Sequence, residues 1–360
     1  MDFFIYNLAL MTFLFLYTEL AEYVLACCNK LSIHGDVHII CWPVNKEAPF
    51  VFTKKDNLKI YSKNNYTFSE LEKLVTHINP TVIVCSGWID KDYLKISKDY
   101  FKKTPTIMTC DTAWRGDFKQ YVAVALSRLT LLNIFSNAWV PGEAQKKYAL
   151  KLGFQQNKIE TGFYSCDLNF FENIYQIQKE KKRQHFPKRF IYVGRYYDFK
   201  GIQELWQAFI EVQNEKPNTW ELWCLGVGDI EPINHQKIKH FGFVQPIDIA
   251  DYSAQTGVFI LPSRKEPWGV VVHEFASLGF PLLLSKRVGA KEKFLQEGKN
   301  GFEFEAQNVK SIKQTLKKIM DLTEIELLKM SEVSSTLSKS ISPETWVNSL
   351  LKMANDIKGV

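Results

Sequence analysis

The feature that most constrains this chain is a series of short, nearly unbroken apolar runs, each followed by a stretch with helical amphipathic spacing. In the first half the runs are VHIICWPV, TVIVCSG, TPTIMTC, NAWVPG and KIETGF; in the second they are RFIYVG, WELWCLG, HFGFV, GVFILPS and FPLLLS. A strand with one wet face alternates apolar and polar residues. Most of these runs do not, so they read as strands buried on both faces, as in parallel sheets covered by helices. Their alternation with helical segments predicts an α/β architecture.

The series breaks once, near residues 165–189, where KEKKRQHFPKR is too polar for a core and is read as a solvated linker with a short helix; a lipid-phosphate patch is the alternative. The expected organisation is a first Rossmann-like domain over residues 1–170, a linker over 171–189, and a second such domain over 190–338. A C-terminal helix over 339–360 begins at SPETW, with Ser342 as N-cap and Pro343 at the first helical position, and is expected to pack back on the first domain. In open α/β sheets ligands bind beyond the carboxyl ends of the strands, so the residues that matter should follow strands directly.

Two features of the ends and the charge bear on partners. Phe3 to Thr18 carries no charge over 16 residues, too short to span a bilayer at about 20 residues; it reads as a buried first strand leading to a core helix, with an interfacial anchor as the alternative. The balance of 45 basic against 39 acidic residues, +6, lacks the profile of a nucleic-acid-binding protein and leaves attraction to phosphate or anionic lipid open. Seven scattered cysteines with no Cys-x-x-Cys pair fit reduced core thiols in a cytoplasmic protein rather than a disulfide frame or a zinc site.

Two segments concentrate chemistry. In YVGRYYDFKGIQELWQAF a strand ends at Gly194, and Arg195 and Lys200 follow before a helix whose Ile202, Leu205, Trp206, Phe209 and Val212 share a face. A lysine at a helix N-terminus is disfavoured by the helix dipole unless an anion sits between them. In FILPSRKEPWGVVVHEFASLGFPLLLS a loop carries Glu266, and a helix expected over 268–278 carries Glu274, seven residues intervening. A carboxylate accepts two hydroxyl donors at once and suits a ribose diol. Gly269 lets a ligand approach the backbone, and the amides of Gly269, Val270 and Val271 are unpaired donors that a diphosphate would satisfy.

Residues from about 190 to 305 resemble the C-terminal domain of glycosyltransferase family 4, which has the GT-B fold. The resemblance rests on VGR with KG (Gly194, Arg195, Lys200, Gly201), LGVGD, GFV (Gly242 to Val244), LPSRKEPWGVVVHEFASLGFPLL, and VGA with GKNGFEF (Gly289, Gly301), in that order. It implies two Rossmann-like, doubly wound domains facing across a cleft and a retaining, metal-independent hexosyl transfer from a UDP- or GDP-sugar used as substrate, with no other cofactor. Arg195 and Lys200 would hold the diphosphate, Glu274 the ribose and Glu266 the transferring sugar, with Phe243 and Val244 beside the base. The acceptor would be a glycan or lipid-linked hydroxyl in lipopolysaccharide, capsule or other polysaccharide biosynthesis, with the protein cytoplasmic or peripheral on the inner face of the membrane. Where family members often carry a glycine pair after the first strand, this chain reads NLALMTFLF; where they often place a histidine, it has Cys110 and Asp111. Asp111 suits a sugar hydroxyl contact, a base toward the acceptor, or an N-cap for the next helix. The alternative functions are a non-catalytic nucleotide-sugar-binding or scaffold subunit, and a GT-B phosphorylase or epimerase. GVGDIE has Glu231 in place of a third fingerprint glycine and is not read as a dinucleotide site; Trp88, Asp90 and Trp139 read as loop packing more readily than as an acceptor lining.

Overall fold

In the computed structural model, which describes residues 11–43, 49 and 56–355, the apolar runs form the strands of two separate parallel sheets. The chain divides into two units, one holding residues 11–43 and 56–164 together with 343–355, the other built on Ser165–Ser342.

The first unit begins with β1 Met11–Tyr17, α1 Glu22–Leu31, β2 Gly35–Cys41 and β3 Leu58–Ser62. It continues through α2 Phe68–Ile78, β4 Val82–Ser86, α3 Lys91–Tyr100, β5 Thr106–Thr109, α4 Phe118–Ser127, β6 Asn137–Trp139, α5 Glu143–Lys151 and β7 Ile159–Glu160. The strands pair in parallel in the order β3-β2-β1-β4-β5-β6-β7, so the direction of winding reverses between β1 and β4. Phe13, Phe15, Val37, Ile39, Val82 and Val84 form one buried face, and Leu14, Leu16, Ile40, Ile83 and Cys85 the other, as strands covered on both sides require. The apolar N-terminal run supplies β1 in its described part; Phe3 to Leu10 lies outside the described residues. Met11 to Phe15 of NLALMTFLF is therefore strand, not the loop after it. That loop is Thr18 to Ala21, also without glycine, and Thr18 is held there by its N–H donating to Ser86 Oγ at 2.9 Å.

The second unit runs α6 Leu168–Gln184, β8 Arg189–Val193, α7 Ile202–Glu215, β9 Glu221–Leu225, β10 Ile238–His240, α8 Ile249–Ser253 and β11 Val258–Leu261. It closes with α9 Val270–Ser277, β12 Leu282–Ser285, α10 Lys291–Phe294, β13 Gly301–Phe304, α11 Val309–Met320 and α12 Glu324–Ser338. Its sheet order is β10-β9-β8-β11-β12-β13, again all parallel, with the winding reversal between β8 and β11. The last element, α13 Pro343–Asn355, belongs to the first unit: Trp346, Val347, Leu350 and Met353 are buried with Phe15 and Trp139, and Trp346 Nε1 donates to the Phe163 carbonyl at 2.7 Å. Trp139, 4.6 Å from Trp346 ring to ring, is fully buried and lines no surface.

The first six residues of the polar stretch read as a solvated linker, Lys179 to Gln184, are instead the end of α6, a 17-residue helix, and His185 to Lys188 connect it to β8. Leu168, Phe171, Ile174, Tyr175, Gln178 and Lys182 are buried along one face at three- and four-residue spacing. The two polar members are accommodated individually: Gln178 Nε2 donates to Ala250 O at 2.8 Å, and Lys182 Nζ lies 3.8 Å from the centre of the Phe280 ring. Burial pushes the Lys182 amine down to about 7. Two edge strands, β3 and β13, were not among the expected runs; β3 carries Lys59 exposed because an edge strand meets solvent, whereas β13 has one polar residue in four. A third edge strand, β10, ends at His240, so Phe241 to Val244 of the expected run HFGFV form a loop rather than a strand.

Candidate functional site

Both chemistry-bearing segments of the second unit lie at the winding reversal of its sheet. β8 delivers Gly194, Arg195 and Lys200 to one side, and β11, its direct neighbour, delivers Ser263, Arg264 and Glu266 to the other. In open parallel sheets this is where adjacent connections leave for opposite faces and open a crevice.

The two loops are bound to each other. Arg264 N–H donates to Phe199 O at 2.8 Å, and its guanidinium bridges Asp198 at 2.5 Å and Glu204 at 2.6 Å. Gly201 caps α7 with φ +67°, and a Cβ there would stand 2.4 Å from Pro262 O, so the glycine after Lys200 is what lets the β11 exit pass this close. Across this contact Lys200 Nζ donates to Glu266 Oε2 at 2.5 Å, with both side chains largely buried. Ser263 Oγ donates to the same oxygen at 3.0 Å, and Ser285 Oγ, from the end of β12, donates to Ser263 O at 2.5 Å. Lys200 has three N–H donors and spends one on Glu266. The pair is thus charge-compensated while retaining donor capacity for an anion.

The 266–268 stretch is fixed from its other side by the VGA segment. Gly289 N–H donates to Glu266 O at 3.0 Å and Ala290 N–H to Trp268 O at 2.9 Å, and a Cβ on Gly289 would stand 2.1 Å from Pro267 O. Gly269 then turns the chain into α9 at φ +95° with no side-chain cap, which leaves the first amides of the helix without a capping side chain. The helix starts two residues later than expected because Gly269 sits in the left-handed region.

α9 is buried on nearly every side: Val272, His273, Phe275, Ala276 and Ser277 are all inside. His273 explains how. Its Nδ1 accepts the Cys166 N–H at 3.1 Å and its Nε2 faces Ser338 O at 2.9 Å, which makes Nε2 the protonated nitrogen. Burial holds it neutral, pushing it down to about 4. Glu274 is the half-buried exception. No hydrogen bond reaches its carboxylate among the described residues, and burial alone pushes it up to about 7. An ion-pairable group kept near neutrality without a partner is an uncommon arrangement and points to a ligand site.

Arg195 is half-buried, its guanidinium 5.8 Å from the Tyr197 ring, with its backbone carbonyl accepting Tyr192 Oη–H at 2.9 Å. Phe243 and Val244 follow β10, half-buried, in a loop tied to the β9 exit by Gly226 N–H donating to Gly242 O at 2.6 Å. The GVGDIE glycines have a structural cause: a Cβ on Gly228 would meet the Tyr196 backbone at 2.6 Å. In the first unit Asp111 follows β5, and Gln145 Nε2 donates to its backbone carbonyl at 3.1 Å. It does not cap α4; Asp117 does, accepting Gln120 N–H at 3.0 Å. Asp90 caps α3 through Oδ1, while its Oδ2 accepts from Lys63 Nζ at 2.5 Å and Trp42 Nε1 at 2.8 Å.

The structure thus joins Lys200 to Glu266, places Arg195 at the same strand end, and sets Glu274 on the adjoining helix. Sequence reading missed Arg264, Glu204, Ser263, Ser285 and His273. Arg264 lies two residues before Glu266 in the same strand-end loop, which is the one signal that singles it out; the others depend on partners distant in the chain.

Residues 187–321 match the family model described as glycosyl transferases group 1. An uncharacterized 41.2 kDa protein in the cps region of Klebsiella pneumoniae is 26% identical over 191 residues, 52% of this chain; the match spans about half, 51%, of that relative's length. Among solved structures, sucrose-phosphate synthase from Thermosynechococcus elongatus superposes with a TM-score of 0.74 at 13% identity, covering 96% of this chain and 99% of that one. Anabaena HepE in complex with UDP and glucose gives 0.67 at 14% identity, covering 96% and 100%. A UDP-forming trehalose-phosphate synthase from Burkholderia xenovorans gives 0.72 at 10% identity, covering 98% and 100%. The strand-end motifs and paired loops thus lie within the segment similar to the glycosyl transferases group 1, residues 187–321, and the chain has the two-unit Rossmann-like fold known as GT-B.

Proposed function

We propose that the protein is a retaining hexosyltransferase that moves a sugar from a nucleotide-sugar donor to a hydroxyl acceptor in surface-glycan biosynthesis, of capsule or lipopolysaccharide type. The observation that carries this reading is the pairing of Lys200 with Glu266 at the winding reversal, together with the unpartnered carboxylate of Glu274 on α9, the helix that follows the Glu266 loop. The cps-region setting of the Klebsiella relative supports the surface-glycan assignment, and the UDP and glucose of the HepE complex put UDP-hexoses first among donors to try.

In this reading the donor diphosphate takes the free donors of Lys200, the guanidinium of Arg195 and the uncapped amides of Gly269, Val270 and Val271. Glu274 accepts both ribose hydroxyls, Glu266 accepts a hydroxyl of the transferring sugar, and Phe243 and Val244 border the base. As the glycosidic bond to phosphate breaks, negative charge grows on the departing diphosphate; cations and amides already aimed at it stabilise that state more than the bound donor. Asp111 lies on the acceptor side as a hydroxyl contact or base. The chemistry is expected to need no metal, so turnover should survive a chelator.

The test is transfer and donor hydrolysis across a panel of UDP- and GDP-hexoses, wild type against Glu274→Ala, with donor affinity measured by calorimetry. Loss of binding and turnover together supports the assignment. Equal activity in the two proteins refutes it, and tight donor binding without turnover on any acceptor assigns the chain instead to nucleotide-sugar binding alone.

A further inference from the structure

Helix α4 turns its large apolar residues outward and only Ala123 and Val124 toward the core. At 100° per residue, Phe118, Tyr121, Val122, Ala125, Leu126 and Leu129 project within a sector of roughly 140°. All six are exposed, Phe118 by 81% and Leu129 by 77%, the latter carried on by the helical conformation of Arg128. The side turned into the unit carries Gln120 and Ser127, both buried, with Ala123 and Val124 partly buried against the core.

The polar residues lock this rotation. Gln120 Nε2 donates to Ala113 O at 2.8 Å, and its Oε1 accepts the N–H groups of Arg115 at 2.7 Å and Gly116 at 3.1 Å. Ser127 Oγ donates to Leu152 O at 2.7 Å. Turning the leucines inward would strand these buried groups without partners, so the apolar face is a fixed part of the surface. A contiguous patch of this kind on a single helix marks an interaction site rather than scattered surface apolarity.

The charges around it choose the partner. Lys119 and Arg128 stand at the two edges of the apolar sector, both exposed. From α5, exposed Lys151 places Nζ 4.7 Å from the centre of the Trp114 ring, which packs edge-on against Tyr121 at 5.1 Å. The nearby Asp117 is already engaged by Arg115 at 3.0 Å. A second copy of the chain meeting this face about a twofold axis would set cation against cation. An anionic bilayer instead accepts the apolar side chains at the acyl boundary and the flanking ammonium and guanidinium groups among its headgroups.

We propose that α4 is a membrane-docking helix that lies in the interface of an anionic bilayer, with Phe118, Val122, Leu126 and Leu129 inserted. This assignment is independent of the glycosyl-transfer reading. If that reading holds as well, the loop carrying Asp111 runs directly into α4, so a lipid-borne acceptor would arrive one loop away from it.

The experiment is sedimentation of the full chain with vesicles of phosphatidylcholine alone or mixed with phosphatidylglycerol, at low and high salt. The wild type is compared with Phe118→Ser/Leu129→Ser and with Lys119→Gln/Arg128→Gln. The expected result is binding to the anionic vesicles only, weakened by salt, lowered roughly 30-fold by loss of the two charges and at least about tenfold by loss of the two apolar side chains. The melting temperature should not change, because all four side chains are exposed. The proposal is overturned by no binding at low salt, or by equal binding to neutral vesicles. It is also overturned by binding unchanged in both variants, which would move the contact to another segment such as the apolar run Phe3–Leu10. A concentration-dependent dimer abolished by Phe118→Ser/Leu129→Ser would overturn it too, by making a second copy the partner.

Discussion

Glu274→Gln should make the protein more stable at alkaline pH while removing its donor site. The carboxyl stands at about 7 against an ordinary value of 4.5, because burial without a partner disfavours its charged form. A folded-state value raised above the unfolded one contributes stability that is present in full below 4.5 and is lost as pH rises through 7. The difference of 7 − 4.5 = 2.5 units corresponds to about 3 kcal/mol between pH 4 and pH 8; solvent at the exposed edge of the carboxylate lowers this to roughly 1–3 kcal/mol. Glutamine has the same shape and no charge to lose. The variant should therefore match wild type near pH 4.5 and exceed it by that amount at pH 8, about 3–10 °C in the transition of the second unit. The assay is scanning calorimetry or urea unfolding from pH 5 to 8.5, with and without a nucleoside diphosphate. In wild type the ligand supplies hydroxyl donors to the carboxylate, so affinity should rise through pH 7; in the variant it should be flat and about 10–100-fold weaker. Stability curves that run parallel in the two proteins would refute the argument, since they would mean that Glu274 carries no burial penalty for the ligand to relieve.

Other substitutions separate the remaining roles. Arg195→Ala and Lys200→Ala should each lower kcat/KM by about one to two orders of magnitude. Lys200→Ala should also cost roughly 1–3 kcal/mol in urea unfolding, because it leaves Glu266 largely buried without its cation. Gly201→Ala should destabilise the second unit by about 1–3 kcal/mol and weaken donor binding, since the new Cβ meets Pro262 O and φ is +67°; a normal melting curve would contradict this. Asp117→Ala should cost about 0.5–2 kcal/mol as a lost N-cap. Asp111→Asn should leave donor affinity untouched and lower transfer to the acceptor; full transfer in that variant would remove Asp111 from the proposed mechanism.

Most strand runs, the parallel sheets and the placing of Arg195, Lys200 and Glu266 after strands, with Glu274 in the helix that follows, were legible in the sequence, because strands buried on both faces must be apolar throughout and ligand-binding loops follow their carboxyl ends. The motif glycines were legible too, and the structure supplies their cause: Gly201, Gly228 and Gly289 each lie where a Cβ would strike another loop's backbone. Other features depended on contacts far apart in the chain. The polar half of α6 packs because Phe280 and Ala250 receive Lys182 and Gln178. Asp117, not Asp111, caps α4, a choice set by where the helix begins. The apolar face of α4 points outward because Gln120 and Ser127 find backbone partners inside, a reversal that periodicity alone would assign the other way round. Local pattern determines which segments become strands and helices, since backbone geometry and side-chain period are local; which face of a helix is buried, and what a carboxylate's acidity becomes, is decided only by the neighbours that folding brings to it.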